Sequence, residues 1–331
     1  MKSRQVVIAS EFKGAPQPSN FRIDEVDLPA VKDGEVLVQN LFLSVDPYMR
    51  AYTQFLKVGN TMIGQGVAKV VESKCDAYKT GEIVLARCGW RTHAVVSDLT
   101  LLAKCPASYY PDISPSLYIG ALGMPGLTAY YGLLDICKAK KGETVYVNSA
   151  AGAVGSVVGQ IAKIKGMRVV GSAGTDEKVA WLKELGFDEA FNYKTAGPIG
   201  DVLKKYCPNG IDVFFENVGG EAFAPTLSLM NYYGRIGVCG AIAGYNDSQP
   251  LQAPLFHGQL ISKSIKIEGF LVTTLMTRPE ELKKALGEMI GWYKEGKLKT
   301  RENILDGFDK MPEAFMTMLK GGGHGKFLVK V

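Results

Sequence analysis

Histidine is scarce in this 331-residue chain: there are three, His93, His257 and His324, none at ligand spacing from another histidine or a cysteine. With no H-E-x-x-H pattern either, the usual catalytic zinc arrangements are unsupported, and chemistry without a metal is expected. The six cysteines (Cys75, Cys88, Cys105, Cys137, Cys207 and Cys239) stand far apart. They form neither C-x2-C pairs nor a dense framework, which argues against structural zinc and disulfides and for a reducing compartment. No G-x-S-x-G nucleophile elbow occurs. The nearest approach to a P-loop, GWYKEGKL (residues 291–298), has leucine where a hydroxyl would meet magnesium and falls at a helix end. Charge of one sign is also lacking. The chain has 38 basic against 33 acidic residues, a net +5 without a basic run, too little for nucleic acid but enough to favour an anionic ligand. Residues 113–134 are uncharged, but Pro115, Pro125 and several glycines would break a spanning helix, so no membrane insertion is expected. MKSRQVVIAS lacks an apolar h-region and FLVKV is no address signal, so the expected location is cytoplasmic; the sequon Asn246-Asp247-Ser248 then has no use.

What is present is a change of rhythm. Residues 1 to about 110 hold short runs of strand character (VVIAS, EVLVQNLFLSV, GVAKVVES, EIVLARCGW) between Gly, Pro, Asp and Lys turns, an all-β, barrel-like region. From about Gly142 apolar strands alternate with amphipathic helices: ETVYVN, MRVVGSA, EAFNY, IDVFFENV, GRIGVCGA and SIKIEGFLV read as strands. Near-continuous apolar strands in that alternation predict a doubly wound parallel sheet, hence an α/β fold. A long helix over RPEELKKALGEMIGWYKEGKL follows, and the closing KFLVKV is a strand expected to return to the β region.

In SAAGAVGSVVG, Ala150, Gly152 and Gly155 reproduce G-x-G-x-x-G with alanine first, after a strand and opening a helix. Small residues there let backbone amides and the helix dipole reach a pyrophosphate. At the end of the next strand, where an NAD site carries an acid for the ribose, stand Gly171, Ser172, Ala173 and Gly174. A small uncharged pocket with Lys178 one turn further admits a 2′-phosphate and predicts NADPH. The alternative makes Asp176 or Glu177 the ribose acid and Lys178 a solvated residue; Asp176 better suits the helix cap.

A nicotinamide without a metal suits hydride delivery to the β-carbon of a conjugated enone or enal, where hydroxyl donors hold the developing enolate. Among 15 tyrosines, Tyr245 in CGAIAGYN follows the carboxyl end of a sheet strand, where ligands of such sheets bind, and Tyr48 follows a strand at a Pro turn.

Together SVDPYMR, MIGQGVAKVVESK, GMPGLTAYYGLLDIC, NSAAGAVGSVVGQIAKIKG, TDEKVAWLKELGFD, FNYKT, NVGGE, GRIGVCGAIAGYN and MLKGGGHGKFLVKV resemble, over essentially the whole chain, the prostaglandin reductase 1 branch of the zinc-independent medium-chain dehydrogenase/reductases. The resemblance implies a GroES-like β-barrel catalytic domain (1–122 with 295–331) and a Rossmann NADPH-binding domain (123–294). It places Gly152, Ala153, Val154 and Gly155 at the pyrophosphate, and Lys178 and Tyr193 at the 2′-phosphate. Asn217, the loop of Cys239, Gly240, Ala241, Ile242, Ala243, Gly244 and Tyr245, and then Phe270, Leu271 and Val272 surround the adenosine and nicotinamide portions. Where the family has asparagine in KGDNLGK, this chain has KGGGHGK, so Gly323 can offer the cofactor only backbone. Implied too are NADPH/NADP+ without metal, Tyr245 and Tyr48 as catalytic hydroxyls, a homodimer, and unsaturated aldehydes and ketones as substrates, 15-oxo-prostaglandins and 2-alkenals included. The competing readings are an NADPH quinone reductase and a catalytically silent NADPH-binding structural or RNA-associated protein.

Overall fold

In the computed structural model, which describes residues 1–108, 110–247 and 256–331, the chain divides into two units: Met1–Gly123 with Glu302–Val331, and Met124–Arg301. The strands of the first unit are β1 (Lys2–Ile8), β2 (Phe21–Asp27), β3 (Val36–Val45), β4 (Gly66–Ser73), β5 (Ile83–Ala86), β6 (His93–Val96) and β7 (Leu102–Lys104). The second unit supplies β8 (Thr144–Val147), β9 (Arg168–Ala173), β10 (Glu189–Asn192), β11 (Ile211–Glu216), β12 (Met230–Val238) and β13 (Lys266–Gly269). The chain then re-enters the first unit with β14 (Glu302–Asp306) and β15 (Lys326–Lys330).

In the first unit β1 and β2 form an antiparallel ribbon, and a second sheet runs β14-β15-β3-β4-β5-β7 with β6 also on β3. The closing KFLVKV segment is β15, antiparallel to β3 with Leu328 opposite Ser44. Alternation along these strands turns Leu43, Val45 and Val329 into a core with Met49, Met62, Trp90 and Phe315, where the Trp90 and Phe315 rings meet edge-on at 5.6 Å. The barrel-like expectation takes the form of an open ladder: among the described residues no pairing closes the sheet, and only isolated bridges, Gln5 to Arg91 and Val7 to Thr61, tie the ribbon to it.

The second unit is a six-stranded sheet in the order β10-β9-β8-β11-β12-β13, every pair parallel. Chain order therefore reverses between β8 and β11, the switch point where open α/β sheets bind dinucleotides at the strands' carboxyl ends. Apolar residues on both faces explain the parallel arrangement. Tyr146 stacks on Phe214 at 5.2 Å within a core that includes Val170, Leu203, Leu227 and Ile236. Helix Gly155–Ile164 packs close because Gly159 faces Phe187; a Cβ at 159 would lie 1.9 Å from that ring. At the far end of the unit, Gln160 holds the backbone of Lys299 in both directions, accepting its N–H at 2.7 Å and donating to its C=O at 3.0 Å. Among the described residues no helix is long and apolar enough to cross a membrane; within residues 113–134 the helical pieces are short, Pro115–Ile119 and Met124–Tyr130. Ser248 of the sequon lies outside the described residues, as does most of the segment between Tyr245 and His257.

Candidate active site

The carboxyl edge of the parallel sheet collects most of the expected residues of the second unit. After β8 the chain turns through Ser149, a non-glycine residue at φ 48°, onto fully buried Ala150. Gly155 is needed there: a Cβ would stand 2.5 Å from the Ser149 carbonyl oxygen and 2.8 Å from the Ala150 Cα. Gly152 is tight against the same carbonyl, at 3.2 Å. Val154 precedes helix Gly155–Ile164 and no side chain caps it, so the amide end of the helix stays available to a phosphate.

At the end of β9 the missing acid is replaced by cations. Ser172 does not face the pocket; its hydroxyl is buried against the Tyr146 hydroxyl at 2.9 Å. Gly174 leaves the opening, and a Cβ there would meet the Tyr193 ring and hydroxyl at 3.3 Å and the Lys194 chain at 3.4 Å. Lys178 is half-buried, and burial first, then the charge of Lys194, lower its pKa from the usual lysine value. Two lysines placed side by side are suited to receive an anion. Lys194 escaped the sequence reading although FNYKT carries it. Asp176 is not the helix cap. The Thr175 hydroxyl accepts from the Lys178 N–H at 3.3 Å, and Asp176 accepts from the Asn192 amide at 2.8 Å, because the N-cap position falls one residue earlier than expected.

On the other side of the switch point, Asn217 is held by Asn148: its N–H donates to the Asn148 side-chain oxygen at 2.7 Å and its side-chain amide to the Asn148 carbonyl at 2.9 Å. Cys239 and Gly240 donate their N–H groups to the Glu216 carbonyl at 2.8 and 3.2 Å. Burial, reinforced by the Glu216 charge, pushes the Cys239 thiol up to about 12, so it stays a neutral thiol. Ile242 through Gly244 form one turn of 3-10 helix, which carries Tyr245 back over its own loop. There the Tyr245 hydroxyl oxygen accepts the Ala241 N–H at 3.4 Å and lies 3.2 Å from where a Gly240 Cβ would be, so glycine at 240 makes the fold-back possible. Of the three residues after β13, Phe270 turns inward against Phe215 and Tyr131, Leu271 is exposed and Val272 is buried.

Tyr48 and Gly323 belong to the first unit. Tyr48 opens a short helix, Tyr48–Tyr52, and meets Tyr52 edge-on at 5.7 Å. Burial, then the charges of Asp46 and Tyr52, raise its pKa, keeping the phenol protonated. Asp46 is fixed by the buried Lys326 amino group at 2.7 Å and by the Ser44 hydroxyl. Gly323 sits at φ 61°, and a Cβ would come within 2.6 Å of the Asn303 side-chain oxygen, so a side chain at 323 is excluded by its neighbour as well as by the backbone. His93 contacts the Thr92 hydroxyl, and among the described residues no cluster of His, Cys, Asp or Glu is placed to hold a metal ion. The turn at Gly155, the cationic pocket at Gly174 and the polar loops beyond the switch point fit NADPH.

Two family models match, one described as the N-terminal domain of oxidoreductase over residues 4–104 and one as zinc-binding dehydrogenase over residues 153–290. Prostaglandin reductase 1 of Rattus norvegicus is 50% identical over 330 residues, 100% of this chain and 99% of that protein. The NADP(+)-dependent 2-alkenal reductase of Nicotiana tabacum is 41% identical, covering 100% of this chain and 98% of that protein. The crystal structure of CurA in complex with NADPH from Vibrio vulnificus superposes with a TM-score of 0.91 at 38% identity, covering 99% of each chain.

Proposed function

This chain belongs to the prostaglandin reductase branch of the zinc-independent medium-chain dehydrogenase/reductases, and from that membership we propose how it acts. It is an NADPH-dependent reductase of the conjugated C=C bond in α,β-unsaturated aldehydes and ketones. Its substrates are lipid-derived 2-alkenals and 15-oxo-prostaglandins. Bound NADPH supplies the hydride that the β-carbon receives. Everything else falls to side chains. Lys178 and Lys194, with Tyr193, hold the 2′-phosphate, and the turn from Gly152 to Gly155 holds the pyrophosphate. Tyr245 donates its hydroxyl hydrogen to the carbonyl oxygen, where negative charge grows as the enolate forms, and Tyr48 is the second candidate hydroxyl. The observation that carries this reading is Tyr245 itself. It is turned back over the loop after β12, at the carboxyl edge of the sheet, with its hydroxyl oxygen accepting from the Ala241 N–H.

The protein works in the cytoplasm as a homodimer. β13 is the edge strand of its sheet, and Ile261 and Leu271 next to it are 80% and 63% exposed, a face suited to a second copy.

The test follows oxidation of NADPH, and separately NADH, with a medium-chain 2-alkenal, a 15-oxo-prostaglandin and a quinone. NADPH-selective turnover of the conjugated carbonyls is expected. Turnover of the quinone alone would make this a quinone reductase, and NADPH binding with no turnover a cofactor-binding protein without this chemistry.

A further inference from the structure

Glu216 ends β11 and is 1% exposed, deeper than any carboxylate needs to be to terminate a strand. Its Oε1 accepts three N–H groups: the Asn148 side-chain amide at 2.5 Å, Val218 at 2.6 Å and Gly219 at 2.8 Å. Its backbone carbonyl takes the Cys239 and Gly240 amides. One residue thereby ties together the loops that follow β8, β11 and β12, across the switch point of the sheet.

The charge is the informative part. All the partners of the carboxylate are neutral amides, and its Oε2 is buried with no hydrogen-bond partner among the described residues. A neutral glutamine would keep the Oε1 acceptor, and burying a charge without a counter-charge is costly. The loop geometry therefore does not account for the negative charge. The location does. Lys178 and Lys194 assign the phosphorylated adenosine half to the ends of β9 and β10, and a dinucleotide crossing the switch point lays its other half over β11 and β12, where Glu216 lies.

We infer that Glu216 is a buried electrostatic residue for the nicotinamide half of the cofactor, favouring the positively charged ring of NADP+ over the neutral ring of NADPH and so strengthening the bound cofactor as a hydride donor. This rests on the NADPH reading above. A unit charge acting across several ångströms of protein is worth roughly tenfold in the ratio of the two affinities. For a two-electron couple, about tenfold corresponds to a bound potential about 30 mV lower than without the carboxylate.

Equilibrium titration calorimetry of the full chain with NADP+ and with NADPH tests this without catalysis. Wild type is compared with Glu216→Gln, which removes the charge and keeps the acceptor, and with Glu216→Asp, which keeps the charge and disturbs the geometry. Glu216→Gln should weaken NADP+ about tenfold more than NADPH, whereas Glu216→Asp should weaken both and leave their ratio within about twofold of wild type. Equal weakening of both nucleotides by Glu216→Gln would reduce Glu216 to a scaffold and overturn the inference. Should Glu216→Gln not fold, Glu216→Met, neutral and of similar length, is titrated in its place: the inference requires the same shift of about tenfold toward NADPH, and an unchanged ratio overturns it. Failure of wild type to bind either nucleotide is a different result, one that removes the NADPH reading itself.

Discussion

Over β9 and β10 the carboxyl edge of the parallel sheet ends in half-buried Lys178 and exposed Lys194 beside Tyr193, whereas over β11 it ends in buried Glu216, bonded only to neutral amides. The cationic side is nearer water, which screens each charge, so on the reading proposed above two lysines act together on the phosphate. The anionic side is sealed, and a single charge there acts over a longer reach. On the reading proposed above, cofactor choice rests on groups near the surface that recognise a fixed anion. On the same proposal, reactivity rests on buried Glu216 and on Tyr245 as the donor for the substrate's share of the charge that appears during the reaction.

Substitutions can separate these two sides. Tyr245→Phe should have the largest effect, lowering kcat on the order of 10²–10³-fold while changing NADPH affinity little, since one hydrogen-bond donor to a developing oxyanion is lost. Steady-state kinetics with a separate nucleotide titration reads both, and unchanged kcat would take Tyr245 out of the chemistry. On the cationic side, Lys178→Ala should weaken NADPH on the order of 10–100-fold and leave NADH nearly untouched, the loss expected for a charge-assisted phosphate contact. Equal weakening of both nucleotides would place Lys178 away from the 2′-phosphate. Gly155→Ala tests the turn shared by both sides. Its Cβ would meet the Ser149 carbonyl at 2.5 Å, so NADPH and NADH should weaken together, with about 1–3 kcal/mol of stability lost in thermal unfolding.

The smallest effect concerns pH. Because burial and Lys194 lower the Lys178 pKa from its ordinary 10.5, Lys178 begins to lose its proton below that pH in the unliganded protein, and a bound phosphate favours the protonated form. NADPH affinity should therefore fall as pH rises through the lowered pKa, and NADH affinity should not. Parallel pH profiles for the two nucleotides would contradict the pairing of the lysine with the phosphate.

Legibility in the sequence followed the same division. The small-residue spacing at Ala150, Gly152 and Gly155 and the absent acid after β9 are local patterns, and they point to the proposed phosphate turn and Lys178 without any structure. Glu216 is not local in that sense. Its amide partner Asn148 lies 68 residues away, brought opposite only by the parallel register of β8 and β11. The signal it did leave, an acid following the apolar run Val213 to Phe215, looks in one dimension like an ordinary strand end. Ser172 misled for a related reason, since the side chain that looked like pocket lining alternates into the core toward Tyr146. In the first unit the strand runs gave the sheet, but whether a ladder closes depends on edge pairing that hydrophobic alternation does not encode.

The central claim is that hydride goes to the β-carbon, not the carbonyl carbon, and Tyr245 holds the oxygen. It is tested most directly by reducing a 2-alkenal with NADPH deuterated at the transferable C4 position and locating the label in the product by NMR. The account predicts a saturated aldehyde with deuterium on the former β-carbon, from wild type and, more slowly, from Tyr245→Phe. Deuterium on the carbonyl carbon of an allylic alcohol would contradict it.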